Sequence, residues 1–276
     1  SGAFGAGASG TFGCKQSFPL PPLYPGGPGG SGHSTPVNAF DPNDKFAPTG
    51  FGDAAYVNAN NAFAYQIRFE NKSDATAPAR EITVSDRLDD ELDLDSLQLT
   101  EITFANQSIA IPAGLDHYET NVPFSANGTP IVVGVVAGLN RTTRELTLSL
   151  SAIDPLSGWF PEDPLTGLLY PNDDTGRGQG SISYIISPRA GLPSGTVINN
   201  RASIVFDFND AIDTPQVHNT LDAAAPTSTM SPLPPITEGT TFTTAWSGQD
   251  DAGGSGIANY DVYVSVDGGD YALLWD

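Results

Sequence analysis

The sequence predicts an all-β protein built around an antiparallel sandwich, and three observations carry that prediction. Segments alternate apolar and polar residues with period two, turns rich in Gly, Pro, Asn and Asp separate them, and no window of about eleven residues keeps a 3.6-residue apolar stripe. The nearest approach to a helical stripe is the short stretch 89–99.

Taken in order, residues 1–36 hold Gly, Ser and Pro in excess, with Pro21-Pro22 and Pro25-Gly26-Gly27-Pro28-Gly29-Gly30 unable to sustain helix or strand. They read as a flexible arm or linker. A β-sandwich is expected over 37–222. Its clearest strand is 62–70, where Phe63, Tyr65, Ile67 and Phe69 fall on one face. Further strands are expected at 81–85, 97–104, 107–111, 118–124, 131–137, 145–153, 181–186 and 197–208. About seven to ten such strands make a sandwich, either as one unit or as two small ones.

The interval 154–180 carries Trp159, Phe160, Leu168, Leu169 and Tyr170 among Pro and Gly, without a strand pattern. A loop of that length inside a domain is either functional or held by something else. The alternative is a self-packed surface loop whose aromatics cover a sheet edge. Residues 223–276 begin with a linker rich in Ser, Thr and Pro and continue as a second β pattern, with strands expected at 242–246, 260–266 and 271–275. Three strands are too few for an independent sandwich, so the expectation is an incomplete second module, the alternative being strands that pack onto the first domain or a neighbouring molecule.

Acidic residues number 32 against 11 basic ones, and the formal charge of −21 repels nucleic acid and anionic membrane alike. Cations are the natural partners. Cys14 is the only cysteine, which rules out an intrachain disulfide and a Cys-based zinc site. No stretch approaches the roughly 18 apolar residues of a membrane span, and the N-terminus has no basic-then-apolar signal pattern. The segment Thr11-Phe12-Gly13-Cys14 has a trace of a lipoprotein cleavage site, without the apolar run that should precede it.

Acidic turns punctuate the framework. Candidate metal ligands are Asp41, Asn43 and Asp44; Asp173 and Asp174; Asp207, Asn209, Asp210 and Asp213; and Asp250 and Asp251. Each group places several oxygens within a few residues, which suits calcium, a hard cation taking six to eight oxygen ligands. The same residues also suit Asx turns and strand ends, where they merely bond backbone amides. None matches the twelve-residue EF-hand pattern. If the first and last strands lie side by side, the clusters at 41–44 and 207–213 approach each other.

Catalytic signals are weak. His33, His117 and His218 lie in no triad or zinc motif, and paired carboxylates occur in any acidic β protein. Gly176-Arg177-Gly178-Gln179-Gly180 leads into a strand and so offers no helix N-terminus to a phosphate. Asn71, Asn106, Asn127 and Asn140 open Asn-x-Ser/Thr triplets, which matter only in a glycosylating source.

Phe40-Asp41-Pro42-Asn43-Asp44-Lys45, the strand 63–70, Asn71-Lys72-Ser73-Asp74 and Ile82-Thr83-Val84-Ser85-Asp86-Arg87-Leu88 together resemble the immunoglobulin-like repeat domains of bacterial surface and secreted proteins. So does the closing run from Asn199-Asn200-Arg201-Ala202 to Asp213-Thr214. The segment from Trp246 through Asp250-Asp251 to Tyr260-Asp261-Val262-Tyr263 is similar to the opening of a fibronectin-type or immunoglobulin-like module. The resemblance implies an immunoglobulin-like sandwich with a structural or adhesive role and no catalysis, at the cell surface or secreted.

The expectation is therefore a non-enzymatic, calcium-stabilised surface module whose partners are neighbouring domains or identical subunits. A sharper version has an N-terminal strand of one subunit completing the sheet of the next, giving a filament. The alternative, from another class, is a carbohydrate- or receptor-binding module that uses Trp159, Phe160 and Tyr170 as a stacking platform.

Overall fold

The computed structural model describes residues 43–236, 241 and 243–275, and everything structural below concerns those residues. The arm at 1–36, Cys14, His33, Asp41 and Phe242 lie outside them. The described residues contain strands and no helix, so the protein is all-β.

Two large sheets face each other. The first joins β1 (Asp44–Phe46), β3 (Phe63–Glu70), β10 (Gln179–Pro188), β5 (Leu92–Phe104) and β6 (Gln107–Ala110), in that order. The second runs β13 (Ile212–Asp213), β12 (Ala202–Phe206), β4 (Glu81–Arg87), β9 (Glu145–Ile153), β8 (Thr129–Asn140) and β7 (His117–Ala126). A small third sheet joins β11 (Val197–Asn200), β14 (Val217–Asp222) and β2 (Tyr56–Asn58). All pairings in the two large sheets are antiparallel, whereas β14 and β2 run parallel.

Period-two alternation builds the core. Phe63, Tyr65, Ile67 and Phe69 point inward from the first sheet, while Ile82, Val84, Leu146, Leu148 and Leu150 point inward from the second, all essentially inaccessible. Each such side chain contributes about 1.5–3 kcal/mol by leaving water. The expected alternation at 62–70 and 145–153 is present in full.

Elsewhere the structure corrects the expected boundaries. The stretch 89–99 enters a strand at Leu92, and β5 is longer than the expected 97–104 because bulges against β10 let it bend and remain paired. The expected single strand 197–208 breaks at Arg201 into β11 and β12, which belong to different sheets. β1, beside β3, does not pair with β12, so Asp44 on β1 and Asp213 on β13 belong to different sheets.

The loop between β9 and β10 is held by aliphatic residues, whereas the expected alternative had its aromatics covering a sheet edge. Leu168 and Leu169 are fully buried, and Ala79 exchanges backbone hydrogen bonds with them, N–H to Leu169 O at 2.8 Å and O from Leu168 N at 2.8 Å. Gly167 permits that approach, because a Cβ there would stand 2.5 Å from Ala79 O.

Beyond Asp222 the chain forms two ribbons, β15 (Thr227–Met230) with β16 (Trp246–Gln249) and β17 (Val262–Val264) with β18 (Ala272–Trp275). Trp246 begins a strand, where the sequence had suggested the end of one, and β17 is shorter than the expected 260–266. Val262 is the buried apolar residue of this part, a small core for a free-standing module.

Candidate functional site

The feature that alternation alone does not explain lies inside the sandwich. β1 turns Lys45 inward and β4 turns Asp86 inward, and both side chains are completely shielded from solvent. Their ion pair is direct. Tyr184 on β10 donates its hydroxyl to Asp86 Oδ2 at 2.6 Å and accepts from Lys45 Nζ at 3.1 Å. The same hydroxyl oxygen accepts from Asn200 Nδ2 on β11 at 3.2 Å. An amine, a carboxyl, a phenol and a carboxamide, brought by four strands from three sheets, thus meet at one buried point.

The aromatic walls complete the chamber. The Tyr65 and Tyr184 rings stack at 5.2 Å, and Lys45 Nζ lies 5.1 Å and 5.6 Å from their centroids. Burial holds the Lys45 amine at a pKa of about 8, below its usual 10.5, although the Asp86 charge and hydrogen bond oppose that shift. Burial, followed by the nearby Asp86 charge, raises the Tyr184 and Tyr65 hydroxyls, so both remain protonated. Asp86 Oδ1 and Asn200 Oδ1 are buried with no hydrogen-bond partner.

Chemically, this is an arrangement for joining an amine to a carboxamide. An amine of pKa about 8 is neutral in roughly a tenth of molecules near neutral pH, and a neutral desolvated amine is a nucleophile. Asp86 lies within reach to take and return a proton, and the dry chamber keeps water from competing.

Lys45, Asp86 and Asn200 all lie in the segments that carry the family resemblance, although none is a candidate site residue from the sequence. Parity marks two of them: Asp86 alternates in step with the buried Ile82, Val84 and Leu88, and Asn200 with the buried Ile198 of β11. A polar residue in phase with a core stripe needs a partner inside.

The predicted metal ligands mostly serve turns and ion pairs. Asn43 Oδ1 accepts from Glu70 N at 3.3 Å, and Asp44 belongs to β1. Asp173 Oδ1 accepts from Thr175 N at 2.9 Å, its Oδ2 pairs with Arg177 at 3.0 Å, and Asp174 is exposed. Asp207, at φ 51°, accepts from Arg80 N and Glu81 N, both at 2.9 Å. Asn209 and Asp210 are exposed, and Asp213 pairs with Arg201 at 3.2 Å.

Asp250 and Asp251 differ. They meet Asp222, with a carboxylate oxygen of each within 4.8 Å of the others. Asp222 was not among the predicted ligands.

Of the proposed stacking residues, Trp159 is 77% exposed and Phe160 is 38% exposed with Arg80 over its ring, while Tyr170 donates to Leu165 O at 3.1 Å. His117 and His218 are exposed, and the latter's Nε2 lies 3.4 Å from Asp53 O.

A family model described as domain of unknown function (DUF7619) matches residues 41–125 and 166–220, about half of the chain. No curated protein sequence matches it. Among solved structures, the chain is similar to the major pilin subunit BcpA of Bacillus cereus, at 15% identity and a TM-score of 0.36, over 68% of this chain and 41% of that one. It thus spans less than half of BcpA's length. It is also similar to domains D2 and D3 of the major pilin SpaD from Corynebacterium diphtheriae, at 14% identity and a TM-score of 0.37, over 76% of this chain and 71% of that one. For the 35 kDa C-terminal fragment of the major pilin GBS80 of Streptococcus agalactiae the values are 10%, 0.37, 67% and 56%.

Proposed function

We propose that this chain, which belongs to the DUF7619 family, is a non-enzymatic structural module of a bacterial surface or secreted protein, locked by a covalent Lys45–Asn200 cross-link. The carrying observation is the convergence of Lys45 Nζ, Asp86 Oδ2 and Asn200 Nδ2 on the Tyr184 hydroxyl inside the core. Nζ attacks Asn200 Cγ, and the new C–N bond forms as the Cγ–Nδ2 bond breaks. Asp86 receives the proton from Nζ and returns one to the departing nitrogen, which leaves as ammonia. No oxidant or cofactor is consumed.

The location suits a role under tension. β1 opens the sandwich and β11 lies near its end, so a pull on the two ends of the domain passes through the cross-link before it reaches the intervening strands. A chain with one cysteine cannot staple itself by a disulfide. By the loop-closure estimate used for disulfides, a link across so long a loop stabilises by on the order of 5 kcal/mol.

Intact-mass spectrometry of the whole chain tests this. The wild type is expected to weigh less than its sequence by one ammonia, with a branched peptide joining the Lys45 and Asn200 segments. Asp86→Ala and Lys45→Met are expected at full mass. A folded wild type at full sequence mass refutes the cross-link.

A second reading, a carbohydrate- or receptor-binding module, draws on the β9–β10 loop, where Leu156, Trp159 and Leu165 are 95%, 77% and 60% exposed. It predicts that Trp159→Ala abolishes a glycan-array signal while leaving the melting temperature unchanged. An array without signal for the wild type rejects it for glycans.

A further inference from the structure

We infer that Asp222, Asp250 and Asp251 bind a calcium ion that fixes the second β module onto the sandwich. Asp222 ends β14 and is 4% exposed, whereas Asp250 and Asp251 follow β16 in the second module. The fold engages one side of the cluster: Asp222 Oδ2 accepts from Ser255 N at 3.2 Å and Ser255 Oγ at 2.5 Å, and Asp250 Oδ2 accepts from Gly256 N at 2.6 Å. The other side has no partner. Asp222 Oδ1, Asp250 Oδ1 and Asp251 Oδ1 are buried atoms without a hydrogen bond.

Among the described residues, no Lys, Arg or His forms an ion pair with any of the three. Three carboxylates within 4.8 Å, with oxygens shielded from water, repel one another more strongly than they would in solution. A cation relieves the repulsion and gives the idle oxygens a partner. The donors are all oxygen, which selects a hard cation over zinc or copper. Calcium accepts six to eight oxygens in flexible geometry, whereas magnesium demands a near-ideal octahedron and gives up its waters reluctantly, so an irregular set of three carboxylates on two segments favours calcium.

The backbone is shaped around this group. A Cβ at Gly254 would lie 2.6 Å from Asp250 Oδ2 and 2.7 Å from Asp251 Oδ1, so a side chain there would displace both carboxylates. Gly253, at φ +88°, lies against the sandwich, where a Cβ would meet Ser194 O at 2.7 Å. Its neighbour across that contact is Gly195, whose N–H bonds Leu221 O at 2.9 Å, beside Asp222. The ligands therefore flank the linker that begins at Ala223, and an ion there closes the linker into a loop and sets the angle of the joint. The site depends on an extracellular location only for its supply of calcium, and it is independent of the Lys45 chemistry.

Calorimetric titration of the chelator-stripped full chain with calcium, and separately with magnesium, tests the inference, alongside limited proteolysis of residues 223–245. The expected result is one saturable calcium site, at least about tenfold tighter than for magnesium, which protects the linker from cleavage. Asp251→Asn, and independently Asp250→Asn, should weaken it at least about tenfold, whereas Asp173→Asn/Asp174→Asn should leave it unchanged. Absence of saturable binding overturns the proposal. So does binding that survives both junction variants, which assigns it to the diffuse negative charge of the surface.

Discussion

Asp86→Ala removes one member of a pair whose two side chains are both fully shielded from solvent. Deleting one partner of a buried ion pair costs about 3–5 kcal/mol, because the survivor is left charged and dry. Lys45 can escape by losing its proton, and from an ordinary pKa of 10.5 that caps the charge penalty near neutral pH at about 5 kcal/mol. The variant also loses the proton acceptor for the cross-link, which adds on the order of 5 kcal/mol. The double variant Lys45→Met/Asp86→Leu separates the two losses, since it removes the link without stranding a charge. Urea unfolding of all three proteins, at matched slope, reads the differences directly. The expected order is wild type, then the double variant, then Asp86→Ala, with steps of about 3–5 kcal/mol. Asp86→Ala within about 1 kcal/mol of wild type would sink the buried-pair argument, and a double variant equal to wild type would sink the cross-link.

Stability against pH offers a second test in Asn200→Ala, which keeps Lys45 as a free amine. Its folded pKa of about 8 lies below the unfolded 10.5, so the unfolded chain binds more protons between those values and stability rises with pH through that window, by on the order of 3 kcal/mol. Above pH 10.0 the raised Tyr65 and Tyr184 reverse the slope, because the unfolded chain then loses protons that the folded one keeps. A cross-linked wild type should lack the rise, as urea midpoints across that range would show. Gly180→Ala should cost about 1–3 kcal/mol, because its Cβ would run into the Phe69 ring and lie 2.8 Å from Thr103 O inside the first sheet; a thermal melt within a degree of wild type would contradict this. Arg144 donates to the carbonyls of Leu88, Asp89 and Leu92 at 3.3, 2.6 and 2.8 Å, so Arg144→Lys should cost about 1–2 kcal/mol and speed amide exchange at Leu92.

Where strands are amphipathic and their partners are consecutive in sequence, the fold was legible. β9 matches its expected range residue for residue, and β8 and β9 form a simple hairpin. β14 was missed because its sequence, Val217-His218-Asn219-Thr220-Leu221-Asp222, reads as polar although four of its residues are buried. Its burial is tolerable only because distant carbonyls receive its donors, Asn219 Nδ2 reaching Pro48 O at 2.8 Å and Thr220 Oγ1 reaching Ala54 O at 2.7 Å. The candidate metal ligands were legible as acidic turns, but a turn and a coordination site have the same local composition. What separates Asp251 from Asp173 is whether other groups already occupy the carboxylate.

By itself the sequence determined the class of this protein and most of its inward faces, because period-two alternation is a local property of the chain and one face must leave water. It also placed Asp86 and Asn200 in phase with buried apolar neighbours. The tertiary structure alone decided that β11 parts from β12 at Arg201, that this turns Asn200 toward the same phenol as Lys45 and Asp86, and that Asp222 faces Asp250 and Asp251. Those meetings join residues far apart in the chain, and they follow from how whole sheets twist and pack, which no local pattern encodes.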